Sequence, residues 1–181
     1  MIDLSIIPEC YVDTNLIETI VPTKMGYNHQ KGCGTVTKLM QGKLKDKFAV
    51  GIVDKDKKEL KYADEFEKIA ETGDMQLFRH KDAKIHHFLI FITPAVEKWI
   101  INNANTAGIS LEQFELSSDL KELTKMTKKM TSKNDPNFKR LFRTLKECNV
   151  RSIVILSEWI TYLKEKSYNT DSAKMREIAN R

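Results

Sequence analysis

The apolar segment at residues 48–53 constrains the fold of this chain more than any other feature of its sequence. The segment reads FAVGIV, contains no polar side chain, and is followed directly by Asp54. A short run of this kind is typical of a strand that is covered on both faces, as the strands of parallel sheets are. It predicts a central strand of an α/β domain with a carboxylate at its carboxyl end.

Further strands and helices are predicted on both sides of this segment. Residues 4–7, 75–78 and 85–92 form short apolar runs that favour strands. Because strands alternate with segments of helical apolar spacing, we expect a mostly parallel sheet flanked by helices. The helical segments expected in this part of the chain are residues 12–21, 35–41, 62–71 and 95–103.

The pattern changes after about residue 110. Strand patterns stop, and residues 120–130, 137–148 and 152–164 show apolar residues at helical spacing. We therefore expect an α/β domain at residues 1–110 and a helical extension at residues 111–181 that packs onto it.

The net charge of +5 is concentrated in that helical extension. Residues 1–116 hold 15 Lys and Arg against 17 Asp and Glu, whereas residues 117–181 hold 15 against 8. Such a basic region attracts polyanions, of which the nucleic-acid backbone is the commonest, although a lysine-rich solvated helix surface would look the same. The residues expected to contact phosphates of DNA or RNA are Lys125, Lys128, Lys129, Lys133, Lys139, Arg140 and Arg143.

Several features bear on the cellular compartment. The longest apolar stretch, residues 88–96, is too short to cross a bilayer, and residues 1–10 lack the basic start and cleavage site of a secretory signal. The three cysteines are an odd number without paired spacing, which favours reduced thiols and argues against a zinc site. We expect a cytoplasmic protein that does not engage membranes.

Acidic residues follow two of the predicted strands. Glu9 lies just beyond the first strand, and Asp54 and Asp56 follow the central one. The carboxyl ends of parallel strands form one edge of a sheet, and alternate residues of an extended turn point the same way. Carboxylates from two loops would supply the oxygen ligands that Mg²⁺ or Mn²⁺ prefers, although an Asp-x-Asp sequence is also ordinary in a solvated, lysine-rich turn.

These motifs resemble those of a known family. The order IIPE at residues 6–9, a glycine-bearing segment near Gly32, and AVGIVDKD at residues 49–56 resembles a Toprim (topoisomerase–primase) domain over residues 3–100. The likeness is to the small nucleases of the overcoming-lysogenization-defect type. It implies a strand that ends in Glu9 and a later strand that ends in Asp54 and Asp56. Cys10 stands where the family usually has glycine.

The resemblance also implies roles for individual residues. Glu9, Asp54 and Asp56 would be catalytic and would bind the metal ion. Glu97 would add a fourth ligand, although a glutamate in the first turn of a helix is also favoured by the helix dipole. Asp13 is a weaker candidate for supporting these ligands, and His29 is a candidate phosphate contact or proton donor, with a plain structural role as the alternative for each.

Two functions follow from this resemblance. The first is a magnesium-dependent phosphodiester hydrolase, a nuclease of anti-phage defence that acts with a partner protein such as an ATPase. A lysine among Lys55, Lys57 and Lys58 would then balance phosphate charge. The alternative is a degenerate, non-catalytic Toprim-like module that binds nucleic acid or a partner protein. A topoisomerase would need a nucleophilic tyrosine on a further domain, and a receiver-like fold would need an acidic pair after the first strand.

Overall fold

Five strands form one mixed sheet in the computed structural model, which describes residues 2–55 and 60–181. The strands are β1 (Ile6–Pro8), β2 (Ala49–Asp54), β3 (Phe66–Glu71), β4 (Met75–His80) and β5 (His87–Ile92), in the order β1-β2-β5-β4-β3. The strands β1, β2 and β5 are parallel neighbours, whereas β4 pairs antiparallel with both β5 and β3. The expected α/β class is confirmed, but the expectation of a mostly parallel sheet holds only for β1, β2 and β5.

The antiparallel part follows from short connections. Only residues 72–74 separate β3 from β4, and only residues 81–86 separate β4 from β5. A parallel pairing needs a crossover of a dozen residues or more, so these strands can only form hairpins.

Seven α-helices surround the sheet in the described part of the chain. They are α1 (Tyr11–Ile20), α2 (Cys33–Gln41), α3 (Val96–Thr106), α4 (Leu120–Thr127), α5 (Pro136–Glu147), α6 (Arg151–Lys166) and α7 (Ser172–Ala179). Asp119, Asp135 and Asp171 accept backbone hydrogen bonds at the starts of α4, α5 and α7, as N-cap residues do. The helical pattern expected after residue 110 is confirmed, and α7 is an additional helix that the apolar spacing did not predict.

Side chains of the central strands alternate between two apolar clusters. Val50 and Ile52 of β2 face a large cluster that includes α1, α3 and the helices after residue 110. Ala49 and Val53 face a smaller cluster with α2. At Gly51 a Cβ atom would come within 2.8 Å of Leu89 Cδ2 and 2.9 Å of Val36 Cγ1. The absence of a side chain at Gly51 therefore lets α2 pack closely on the sheet.

Residues 62–71 do not form the expected helix. A 3₁₀-helix spans Lys61–Glu65, and β3 begins at Phe66. Phe66, Ile69 and Ala70 are buried, at a spacing that an amphipathic helix would also produce. The register of β3 against β4 shifts between Lys68 and Ala70, and such a bulge breaks the two-residue period of a strand. The spacing of buried residues in this irregular strand therefore matches that of a helix.

None of the helices in the described part of the chain is long and apolar enough to span a membrane.

Candidate functional site

Acidic residues follow the three parallel strands at the same edge of the sheet. Glu9 comes directly after β1, Asp54 is the last residue of β2, and Glu97 lies in the first turn of α3, which β5 reaches through a cis Thr93–Pro94 peptide. All three acids line one cleft of about 490 Å³. The structure therefore brings together three of the four predicted metal ligands.

Hydrogen bonds tie the strand ends to one another. The Asp54 amide donates to Glu9 Oε2 at 3.0 Å, and the Val96 amide donates to Asp54 Oδ1 at 2.9 Å. Val96 is the first residue of α3, and the preceding Ala95 has no side chain that could accept from the helix N–H groups. Asp54 therefore caps a helix that belongs to a different part of the chain.

The helical region after residue 110 forms part of the same cleft. The Thr127 hydroxyl donates to Glu97 Oε1 at 2.6 Å, and Thr127 is only 2% exposed. Thr124 and Lys128, at the same end of α4, also line the cleft. The site is thus built from both predicted parts of the chain.

Asp13 lies buried beside this cleft, at 1% exposure. Its Oδ2 accepts from the Cys10 amide at 3.1 Å, and the Cys10 sulfur accepts from the Asp13 amide at 3.4 Å, so that the two residues form a reciprocal cap at the start of α1. Cys10 replaces the expected glycine because its thiol acts as the N-cap. Asp13 Oδ1 is buried and has no hydrogen-bond partner among the described residues.

The carboxylates are close enough to change one another's protonation. Burial raises the pKa of Asp54, and the negative charges of Asp13, Glu9 and Glu97 raise it further. Burial likewise raises the pKa of Asp13, with added repulsion from Glu9 and Glu97. A cation bound in the cleft, or a proton held by one carboxyl, would relieve this repulsion.

The Cys10 thiol is not activated in this setting. Burial, followed by the charge of Asp13, raises its pKa, so the thiolate form is disfavoured. This argues against a cysteine nucleophile in the cleft.

His29 lines the cleft and contacts Thr14. His29 Nδ1 lies 2.9 Å from the Thr14 hydroxyl oxygen, and the same hydroxyl oxygen lies 2.8 Å from the Cys10 carbonyl oxygen. Nε2 is buried and has no hydrogen-bond partner in the described part of the chain. Burial lowers the pKa of His29, and Lys133 and Lys31 lower it further. The uncharged form of the imidazole is therefore favoured.

The Tyr11 ring stacks on this imidazole, and Lys31 lies over the Tyr11 ring. The Tyr11 ring lies 4.4 Å from the His29 ring, centroid to centroid, and Lys31 Nζ lies 5.4 Å from the centroid of Tyr11. Tyr11 and Lys31 both line the cleft, as does Gly32. Lys31 and Lys128 thus place exposed positive charge beside a carboxylate cluster.

Part of the predicted site lies outside the described residues, namely Asp56, Lys57 and Lys58. Lys55 is described, and its Nζ donates to Gln76 at 3.1 Å. Across residues 2–55 and 60–181, no three His, Cys, Asp or Glu side chains are grouped so that they could hold a metal ion as they stand. Metal binding by Glu9, Asp54 and Glu97 therefore stays a prediction.

The basic residues expected to bind nucleic acid are spread over several surfaces. Lys128 lines the cleft, and Lys133 lies near enough to lower the pKa of His29. Lys139 and Arg143 line a separate groove on α5. Arg140 stacks on Phe114, and Lys125 pairs with Glu122 at 2.7 Å. Lys128 and Lys133 are therefore the predicted contacts that lie nearest the carboxylates.

Tyr11, Lys31 and Thr127 were not predicted from the sequence as site residues. Each is an ordinary residue for its local element, and only the fold places it at the cleft. The sole available signal was the closeness of Tyr11 and Lys31 to Glu9 and Gly32 in the chain.

Comparisons with protein families, with curated proteins and with solved structures found no match to the chain. The resemblance to Toprim domains therefore stays a prediction that rests on the motifs alone.

Proposed function

We propose that this protein is a metal-dependent phosphodiesterase that acts on nucleic acid in the carboxylate-lined cleft. One observation carries the proposal. Glu9, Asp54 and Glu97 converge from three parallel strand ends beside buried Asp13, and the same cleft is lined by Lys31 and Lys128. Clustered carboxylates with nearby cations suit a reaction that handles both metal ions and phosphate.

The donor chemistry supports Mg²⁺ or Mn²⁺ as the cofactor. Carboxylate oxygens are the ligands that these ions prefer. Burial raises the pKa of Asp54, the charges of Asp13, Glu9 and Glu97 raise it further, and a bound cation would offset both effects. Glu9, Asp54 and Glu97 would hold the ion together with Asp56. When bound, a divalent ion activates a water molecule and offsets charge on phosphate oxygens.

The protein's own residues would carry the remaining roles. Glu9 or another cleft carboxylate accepts the proton of the attacking water as the new O–P bond forms. The ester P–O bond breaks, and the departing sugar oxygen takes up a proton from solvent. Lys31 and Lys128 offset the phosphate charge. The proposed place in phage defence and the partner ATPase rest on the motif resemblance only.

A non-catalytic binding module is the second candidate, because the carboxylates already have structural partners. Glu9 accepts from the Asp54 amide, Asp54 caps α3, and Glu97 accepts from Thr127. A degenerate domain that keeps its acids for these bonds would bind nucleic acid or a partner without cleaving it.

Metal binding and cleavage distinguish the two candidates. Calorimetric titration with MgCl₂ and MnCl₂ should show binding by the parent, and labelled DNA or RNA should be cut only when metal is present. Asp54→Asn should abolish cleavage and the rise in melting temperature on adding metal. It keeps an oxygen that can accept from Val96, so loss of folding would not explain the result.

Asp46→Asn is the matched control, because Asp46 is exposed and lies before the amino end of β2, away from the cleft. It should behave like the parent in both measurements. Equal responses of the parent and Asp54→Asn to metal would refute the metal site, and nucleic-acid binding without cleavage would favour the binding module.

A further inference from the structure

The size of the cleft limits what can reach the carboxylates. Its volume of about 490 Å³ equals that of a cube about 8 Å on a side, which suits a ligand of one or two nucleotides. A segment of one strand therefore fits the cleft better than both strands of a base-paired duplex do.

The carboxylates line this cleft. Asp54 is partly buried, its amide donates to Glu9, and its carboxylate accepts from the Val96 amide at the start of α3. The hydrogen bond between Thr127 and Glu97 keeps the end of α4 at the same site. A phosphodiester has to enter the cleft to reach Asp54, which is easier for an unpaired strand than for a strand held in a duplex.

The cations of the cleft come from separate elements of the fold. Lys31 precedes α2 and Lys128 follows α4, and both line the cleft together with the carboxylates. Both lysines are exposed. Two such cations can each neutralise a phosphate of a strand that enters the cleft.

We propose that the cleft accepts an unpaired strand of nucleic acid, with Lys31 and Lys128 contacting phosphates that flank the target bond. This inference rests on the proposed function, and it names the substrate class of the same site. Unpaired nucleotides can enter a small cleft without disruption of base pairs, whereas a paired substrate must first be opened at a cost in free energy.

The cleavage test uses three labelled substrates of one sequence, which are the single strand, its blunt duplex, and a duplex with an unpaired overhang. With Mg²⁺ present, the single strand should be cut about tenfold faster than the duplex or more. Cuts in the third substrate should fall in the overhang. Duplex cleavage at the rate of the single strand would overturn the inference and leave the proposed function in place.

The binding test is independent of cleavage, because it uses Asp54→Asn protein and fluorescence anisotropy. Lys31→Ala and Lys128→Ala should each weaken single-strand binding and reduce the slope of log affinity against log salt by about 0.7. Lys84→Ala is the control, because Lys84 is exposed and precedes β5 at the opposite end of the sheet. It should leave affinity and slope unchanged.

The two tests together separate the possible failures. If no substrate is cleaved but single-strand binding still depends on both lysines, the proposed hydrolase is refuted and strand binding in the cleft is supported. No cleavage, with lysine variants that bind like the parent, would overturn both proposals.

Discussion

Two polar clusters lie on the same sheet, one buried and one lining the cleft, and they differ in how their polar atoms are paired. At the amino end of β5, the Tyr62 hydroxyl and His87 Nδ1 lie 2.6 Å apart, and His87 Nε2 lies 2.9 Å from the Leu44 carbonyl oxygen. At the carboxyl ends of β1 and β2, like charges face one another and Asp13 Oδ1 has no partner among the described residues.

The paired cluster contributes to stability, whereas the carboxylate cluster has the features expected of a functional site. Nε2–H of His87 donates to Leu44 and Nδ1 accepts from Tyr62, so a neutral imidazole satisfies both neighbours. A paired polar cluster of this kind holds the core together. Repelling carboxylates cost stability, and such a cost is expected where a site is kept ready for a ligand.

Breaking the paired cluster should give the largest effect. His87→Ala leaves the Tyr62 hydroxyl and the Leu44 carbonyl unpaired and opens a cavity, so we expect a loss of about 3 kcal/mol in the free energy of unfolding. Tyr62→Phe removes only one hydrogen bond and should cost about 1 kcal/mol. Urea unfolding measures both losses. A His87→Ala protein as stable as the parent would show that the pairing contributes nothing.

Thr127 connects the carboxylate cluster to α4. Thr127→Val removes the hydroxyl that holds Glu97 and keeps a similar shape, so Mg²⁺ affinity should fall by about tenfold if Glu97 is a ligand. Thr127→Ser retains the donor and should bind Mg²⁺ like the parent. Titration calorimetry compares the three proteins, and equal affinities would restrict Thr127 to a role in packing.

Relieving the repulsion should stabilise the protein where breaking the paired cluster weakens it. Asp54→Asn removes a carboxyl whose pKa is raised in the folded protein and keeps an acceptor for Val96, so the metal-free protein should gain about 1 kcal/mol near pH 8. Asp54→Ala also loses the cap of α3 and should be about 1 kcal/mol less stable than Asp54→Asn. Thermal unfolding without metal checks this order, and a reversed order would mean that the cap is unimportant.

The two clusters should respond to pH in opposite directions. The folded-state pKa of Asp54 and of Asp13 is raised, so their contribution to stability is complete below about pH 4 and is lost as the pH rises. Burial lowers the pKa of His87, so its contribution is lost as the pH falls below about 6.5. Between about pH 7 and 9 the parent should lose stability, and Asp54→Asn should lose less. Identical slopes of stability against pH for the parent and Asp54→Asn would contradict repulsion at Asp54.

Much of the site could be predicted because it depends on simple rules. An apolar strand followed by an acid is visible in the sequence, and neighbouring parallel strands place Glu9 and Asp54 at one edge. The positions of Glu9 and Asp54 depend on local patterns and on the direction of the strands, both of which a sequence reveals. Glu97 was predicted only through the resemblance to Toprim domains, with a first-turn helix glutamate as the alternative.

Other features depend on distant contacts or on an irregular backbone. Thr127 is 30 residues from Glu97 in the chain, and nothing in its surroundings marks it as a partner. The strand β3 carries a bulge that places Ile69 and Ala70, two adjacent residues, in the core. The apolar spacing of that strand matches the spacing of a helix. A helix was therefore predicted at residues 62–71, and the antiparallel half of the sheet was not predicted.

The shared hydrophobic core has a consequence for how the chain unfolds. Ile6 and Val12 from the start of the chain belong to the same apolar cluster as Phe138 and Trp159. The side-chain amide of Asn15 in α1 also donates to the Ser132 and Asp135 carbonyls just before α5. Removal of the residues after 110 would uncover this surface of the sheet, so we expect one cooperative transition for the whole chain. Amide exchange in α1 and α5 should accordingly proceed at similar rates, through the same global opening.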